Sequence, residues 1–323
     1  MSAAGIVAGV LWLALTAYAV LAGADFGGGV WDLFASGPRA RGQRQAVATA
    51  MGPVWEANHV WLIFMITGLF TAFPSAFGTL SLDLYLPFTI ALVGIVLRGA
   101  AFAFRAHGRE AVGGASAWGV AFGVASIIAP FFLATGIGAV AVGLTPDSWA
   151  APYSLLLGFF AVSICAYLAA TYLTVETQGT ALESDFRRRA AVAGLVAGVL
   201  ALACLALAPI GAPNLAHALL GRGLPLVVLA LVNGVAALAA VWRSRPQVAR
   251  VAVAGQVVLV LWAWALGQWP YLIPPTVTID AAAAPASTLD ALVVVISVGM
   301  VLLIPSLVIL FVVFKARNPA AVD

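Results

Sequence analysis

Residues 52–64, GPVWEANHVWLIF, set a carboxylate, an amide and an imidazole (Glu56, Asn58 and His59) inside an otherwise apolar, tryptophan-flanked run. What a glutamate does there depends on the solvent around the segment, and composition settles that. Of the 323 residues, 63% are hydrophobic and 8% are charged, and the mean hydropathy is +1.09. A soluble domain carries about 25% charged residues. A chain this poor in charge cannot cover a water-facing surface, so the segment belongs to a polytopic membrane protein. The pI near 9.1 does not point to nucleic acid, because the basic residues form no dense tract. Cys165 and Cys204 both fall within apolar runs and read as small hydrophobes. The first apolar run is longer than a signal-peptide core and lacks a basic flank, so it reads as a retained span.

A bilayer core of about 30 Å needs about 20 apolar residues per helix. Nine runs qualify: 5–34, 47–72, 78–104, 116–142, 152–176, 189–209, 223–241, 248–267 and 290–314. They are continuously apolar rather than alternating, which selects helices over a barrel. The expected fold is all-α, with two four-helix bundles (1–142 and 143–267) followed by an outer loop and a ninth helix (268–323). A mixed-charge loop at 177–188, QGTALESDFRRR, joins the two bundles. A weak echo between LTAYAVLAGADFG in the first span and ICAYLAATYLTVE in the fifth fits a parallel repeat.

Thirteen of the fifteen basic residues fall on one set of alternate connections, which includes Arg105 and Arg109; the opposite set holds only Arg222. The positive-inside rule then places the N-terminus outside and the C-terminus in the cytoplasm. Arg98 lies within a span.

Among the charges inside the apolar runs, three stand out: Asp25, Glu56 and Arg98. Each costs roughly 2.5–3.5 kcal/mol at mid-helix on insertion scales. Counted from the expected cytoplasmic ends at about 1.5 Å per residue, all three lie roughly 9–14 Å deep. Two acids against one base leave one carboxylate in excess, and burial pushes such a group toward exchanging protons near neutral pH. Glu56 is the better candidate, with His59 at i+3 on its own face and Trp55 paired with Asn58 on the next. The alternative is a structural ion pair that fixes helix registry. The polar strip lasts one turn before VWLIF closes it, which fits an entry vestibule. In GADFGGGVW, three glycines after Asp25 allow another backbone to approach closely, so Asp25 should face a neighbouring helix. His59 as a haem ligand is the weaker reading, since only three histidines exist and His107 and His217 fall in or near loops.

Taken together, GADFGGGVWDL in the first span, GPVWEANHVWLI in the second, the lone Arg98 in the third and QWPYLIPP before the last helix resemble subunit II of cytochrome bd-type quinol oxidases. The glutamate form looks closest to the cyanide-insensitive branch. The resemblance implies a respiratory oxidase of the bacterial inner membrane that oxidises membrane quinol and reduces dioxygen to water. Two b-type haems and a haem d or b would sit in subunit I, the heterodimer partner. This chain would bind no haem or metal, and the resemblance also admits a bound quinone and a small accessory membrane subunit. By position the resemblance makes Glu56 the proton-path acid and matches Asp25 and Arg98 to two further intramembrane charges. His59 and Asn58 complete the path and Trp55 and Trp61 support it. A proton-coupled secondary transporter is the alternative of a different class, because two bundles with buried acids suit it too.

Overall fold

The computed structural model describes residues 2–51, 55–107 and 116–316, with the side chains of 51, 55–57, 106, 107, 307 and 310–316 outside that set. The chain opens with α1 (Ala3–Leu33), α2 (Ala40–Met51), α3 (Trp55–Ala72), α4 (Pro74–Asp83), α5 (Tyr85–His107) and α6 (Ala117–Val142). It continues with α7 (Pro152–Glu176), α8 (Ala181–Gly211), α9 (Pro213–Leu220), α10 (Leu224–Trp242) and α11 (Pro246–Gln268). Strands β1 (Tyr271–Ile273) and β2 (Val277–Thr278), then α12 (Ile279–Ala282) and α13 (Ala286–Ala316), complete it.

Helix starts follow local chemistry. Ser2 and Ser116 cap α1 and α6 by accepting the Gly5 and Gly119 N–H groups at 3.2 and 3.0 Å, which satisfies donors that the first turn leaves unpaired. Proline, whose missing N–H costs nothing in a first turn, stands at the start of α4, α7, α9, α10 and α11.

Among the described residues, eight helices are long and apolar enough to cross a membrane, and nine if the bent pair 58–72 and 74–83 counts as one. That pair turns through 119°, which corrects the expected third span. Residues 78–83 belong to the separate helix α4, and the long helix begins at Tyr85. Pro74 is the physical reason: it cannot donate to the preceding turn, so α3 stops at Ala72. The second expected span, 47–72, overlaps two helices, because α2 runs to Met51 and α3 starts at Trp55.

The linker expected at 177–188 is helical from Ala181 onward, with Thr180 capping Leu182. Helix α8 therefore extends past its apolar part into a charged turn, and that turn fastens α2. Arg39 Nε and Gln43 Nε2 donate to Asp185 at 2.8 and 2.9 Å, while Arg189 donates to Gln43 Oε1 at 2.6 Å and to the Phe34 carbonyl at 3.1 Å.

The outer segment before α13 is ordered rather than plain loop. β1 and β2 pair antiparallel, Tyr271 opposite Thr278. Ile273 and Ile279 bury against Val7, Leu11 and Phe73, sealing the start of α1 and the α3–α4 bend. In the middle of the fold α7 packs against α1, α6, α8 and α11. Tyr167, Leu168 and Ala170 of α7 join Ala190, Ala237 and Val253 in the largest apolar cluster. Large apolar side chains on the outer faces of α8, α10 and α13 stay exposed, such as Val199, Val235 and Val301. A chain in water could not keep such faces open, whereas lipid or a partner helix covers them.

Candidate functional site

Glycine sets the geometry of α1 around Asp25. A Cβ on Gly27 would fall 1.8 Å from the Cys165 carbonyl oxygen of α7, and one on Gly29 would fall 2.0 Å from Ser126 Oγ of α6. Both contacts lie far inside van der Waals distance, so neither position admits a side chain. Helices α6 and α7 therefore close onto α1, and Asp25 is left 2% exposed. The expectation that the glycines press Asp25 against a neighbour holds, and the neighbours are helices of this same chain.

Arg98 meets Asp25 from α5. Its Nη2 donates to Asp25 Oδ1 at 2.7 Å and to the Asp25 carbonyl at 3.1 Å, and its Nε donates to Ser126 Oγ at 2.9 Å. Ser126 Oγ in turn donates to the Phe122 carbonyl at 2.7 Å. The guanidinium also lies 4.7 Å from the Phe122 ring centroid and 5.3 Å from that of Phe26. Carboxylate, carbonyl, hydroxyl and two aromatic faces together offset the desolvation of a buried arginine.

Four buried polar atoms around this pair have no hydrogen-bond partner among the described residues: Asp25 Oδ2, Arg98 Nη1, Asn58 Oδ1 and the Tyr18 hydroxyl. Asn58 is fully buried and donates to the Leu21 carbonyl at 3.4 Å, which docks the first turns of α3 onto α1 one turn before Asp25. Tyr18 and His59 both lie within electrostatic reach of Asp25 and Arg98. Trp61 packs on the apolar side of the same site, with Tyr18, Ala22 and Phe26. The side chains of Glu56 and Trp55 lie outside the described residues; their backbones form the first turn of α3. Of the residues singled out in the sequence, the structure thus brings Asp25, Arg98, Asn58, His59 and Trp61 to one place.

A second buried ion pair was not anticipated. Arg105 Nη1 and Nη2 donate to Asp32 Oδ2 and Oδ1, each at 2.9 Å, in a two-pronged contact. Asp32 is 2% exposed and Arg105 9%. This corrects the placing of Arg105 among the loop residues, because α5 continues past it to His107. Its signal in the sequence was spacing. Asp32 follows Asp25 by seven positions and Arg105 follows Arg98 by seven, and both pairs join residues 73 apart. Seven residues are about two turns, roughly 10.5 Å of rise, so α1 and α5 run parallel and in register.

Among the described residues, no group of three or more His, Cys, Asp or Glu converges as a metal site would require. His59 lies on α3 and His217 on α9, and both cysteines are buried thiols in apolar helices.

Comparison with known proteins agrees with these features. A family model described as cytochrome bd terminal oxidase subunit II matches residues 3–314. The cytochrome bd ubiquinol oxidase subunit 2 of Bacillus subtilis is 29% identical over 218 residues, covering 62% of each chain. The Escherichia coli cytochrome bd-I ubiquinol oxidase subunit 2 is 26% identical over 60% of this chain and 53% of its own. These matches thus span only about three fifths of those relatives. A putative cytochrome bd menaquinol oxidase subunit II of Bacillus subtilis is 21% identical over 92% of this chain and 91% of its own. The fold is that of a chain in the bd oxidase of Geobacillus thermodenitrificans, with a TM-score of 0.82, 24% identity and coverage of 98% and 100%. With a model spanning nearly its whole length, this bacterial multi-pass membrane chain belongs to the family of cytochrome bd terminal oxidase subunit II.

Proposed function

We propose that this chain is the haem-free subunit of a respiratory quinol:oxygen oxidoreductase, paired with a haem-binding subunit I, and that it carries part of a proton path from the cytoplasm. Quinol oxidation frees electrons and protons, and reduction of dioxygen to water consumes both. If the two sets of protons are exchanged on opposite sides of the membrane, turnover is electrogenic. The N-terminus then lies outside and the C-terminus inside, an orientation that the distribution of basic residues supports. The two groups of helices, 1–142 and 143–267, form the bundles that support the partner.

One observation carries the proton-path reading. Beside a fully buried ion pair, Asp25 Oδ2, Arg98 Nη1, Asn58 Oδ1 and the Tyr18 hydroxyl all await partners among the described residues. Buried polar atoms are nearly always satisfied, and a polar cluster of this kind holds water when side chains do not complete it. Glu56 begins α3 beside this cluster, two residues before Asn58. Asp25 neutralises Arg98 directly, and in this reading Glu56 is the second acid of the set, the one that takes up and releases a proton. His59 and Asn58 line the route, Arg98 sets its potential, and Trp61 holds it against the apolar core, with Trp55 assigned a supporting role from its place in the sequence. The transporter reading gains no support from the family match.

The test is Glu56→Gln in the assembled complex, with oxygen consumption driven by a soluble quinol. The variant should retain partner and haem absorption yet lose most of its turnover. Unchanged turnover in a correctly assembled complex would remove Glu56 from the path.

A further inference from the structure

We infer that the groove between the start of α8 and the end of α10 binds the headgroup of an anionic phospholipid, whose acyl chains run down the apolar faces of the same two helices. The inference is independent of the proton path and requires only that the chain lie in a membrane.

The groove has a volume of about 240 Å³ and is lined by Ser184, Arg187, Arg188 and Ala191 of α8 and by Val241 and Trp242 of α10. The four α8 residues stand at i, i+3, i+4 and i+7, one helical face, so a hydroxyl and two guanidinium groups converge on one wall. Arg187 is held in position by donating to Ser244 Oγ, in the turn after α10. Arg188 is exposed and has no ion pair among the described residues. Exposed Arg243 and Arg245 follow directly. The nearby acids are engaged elsewhere: Asp185 holds Arg39 and Gln43, and Glu183 accepts the Gly179 N–H at 2.8 Å. The groove is therefore cationic, and its complement is an anion that accepts several hydrogen bonds, as a phosphodiester does.

The surface beside the groove selects a lipid over a free anion. Trp242 is 67% exposed at its rim, where an indole suits the boundary between headgroups and hydrocarbon. One to four turns further along, Val192, Leu195, Val196 and Val199 of α8 and Val232 and Val235 of α10 are all exposed. Cationic side chains at a helix end with an unbroken apolar strip beneath them match an anionic head with long chains attached. Free phosphate would use the first feature and leave the second uncovered.

The experiment compares the purified whole complex with its Arg187→Gln/Arg188→Gln form. Each is stripped with detergent, incubated with vesicles of phosphatidylcholine containing a minor fraction of phosphatidylglycerol, re-isolated, and extracted for mass spectrometry of bound lipid. The native complex should retain phosphatidylglycerol selectively, and the double variant should retain on the order of tenfold less. Arg187→Lys/Arg188→Lys, which keeps both charges, should restore most of it, separating lost charge from misfolding. Equal retention by the native and glutamine forms overturns the inference. So does equal retention of phosphatidylcholine, which makes the strip an ordinary lipid boundary. Displacement of the lipid by inorganic phosphate also overturns it, because the groove would then be a site for a free anion.

Discussion

Arg105 grips Asp32 through two hydrogen bonds of 2.9 Å, two helical turns along from the 2.7 Å contact of Arg98 with Asp25. The two pairs form a ladder between α1 and α5, and both are almost sealed from solvent. They differ in completeness. Asp32 has both oxygens occupied by one guanidinium, whereas Asp25 Oδ2 and Arg98 Nη1 have no hydrogen-bond partner among the described residues. The first pair has the signature of a structural clamp, and the second that of a clamp open to further partners.

For the Asp32–Arg105 clamp, removing one member leaves the other charged and buried. Asp32→Asn or Arg105→Gln should each destabilise the folded subunit by about 3–5 kcal/mol. Replacing both together with apolar residues of similar volume should recover much of that loss. The measurement is thermal unfolding of the purified complex, and unchanged stability in both single variants would deny the clamp its role.

At Asp25 the substitution to Asn keeps shape and one acceptor but removes the charge that balances Arg98. It should slow oxygen reduction, though less than Glu56→Gln, because the position supports the excess acid without itself being in excess. Steady-state oxygen consumption by the two variants in parallel checks the order, and a reversed order would transfer the relay to Asp25.

Arg98 should be sensitive to the shape of its side chain as well as to its charge. Lysine cannot donate to Ser126, to the Asp25 carboxylate and to the Asp25 carbonyl in one fixed fork. Arg98→Lys should therefore assemble less well than the native chain, measured as the haem-containing complex recovered per unit of membrane. Native recovery would show that charge alone suffices.

Gly27→Ala should fail through geometry alone, since its methyl would meet the Cys165 carbonyl at 1.8 Å and force α1 from α7. Gly9→Ala, with nothing within 4 Å, is the control and should behave as the native chain. Equal yields of assembled complex from both would mean that α1 and α7 are not in contact at Gly27.

How much of the site could be read without coordinates varies by residue. Asp25 and Arg98 stood out because a charge in an apolar run has no cheap explanation, and the structure joins them. Glycines 27 and 29 announced a close approach, but not that Gly27 meets α7 and Gly29 meets α6. Asp32 and Arg105 were overlooked because each sits near a span end, where charge is ordinary; only their matching intervals of seven betrayed them. Arg187 and Arg188 read as topology signals, and nothing in one strand of sequence says that Trp242 lies across from them.

The sequence by itself determined that this chain crosses a membrane several times as helices, where most of those crossings begin and end, and that Asp25 and Arg98 are charges buried within them. Those properties are one-dimensional: they follow from how long an apolar run lasts and what interrupts it. Tertiary structure alone decided that Arg98 belongs to Asp25 and Arg105 to Asp32, that α4 folds back from α3, and that α8 extends to fasten α2. Partner choice depends on how each helix is rotated and which neighbour it faces, and those are set by close packing of the whole bundle, which no local run of residues encodes.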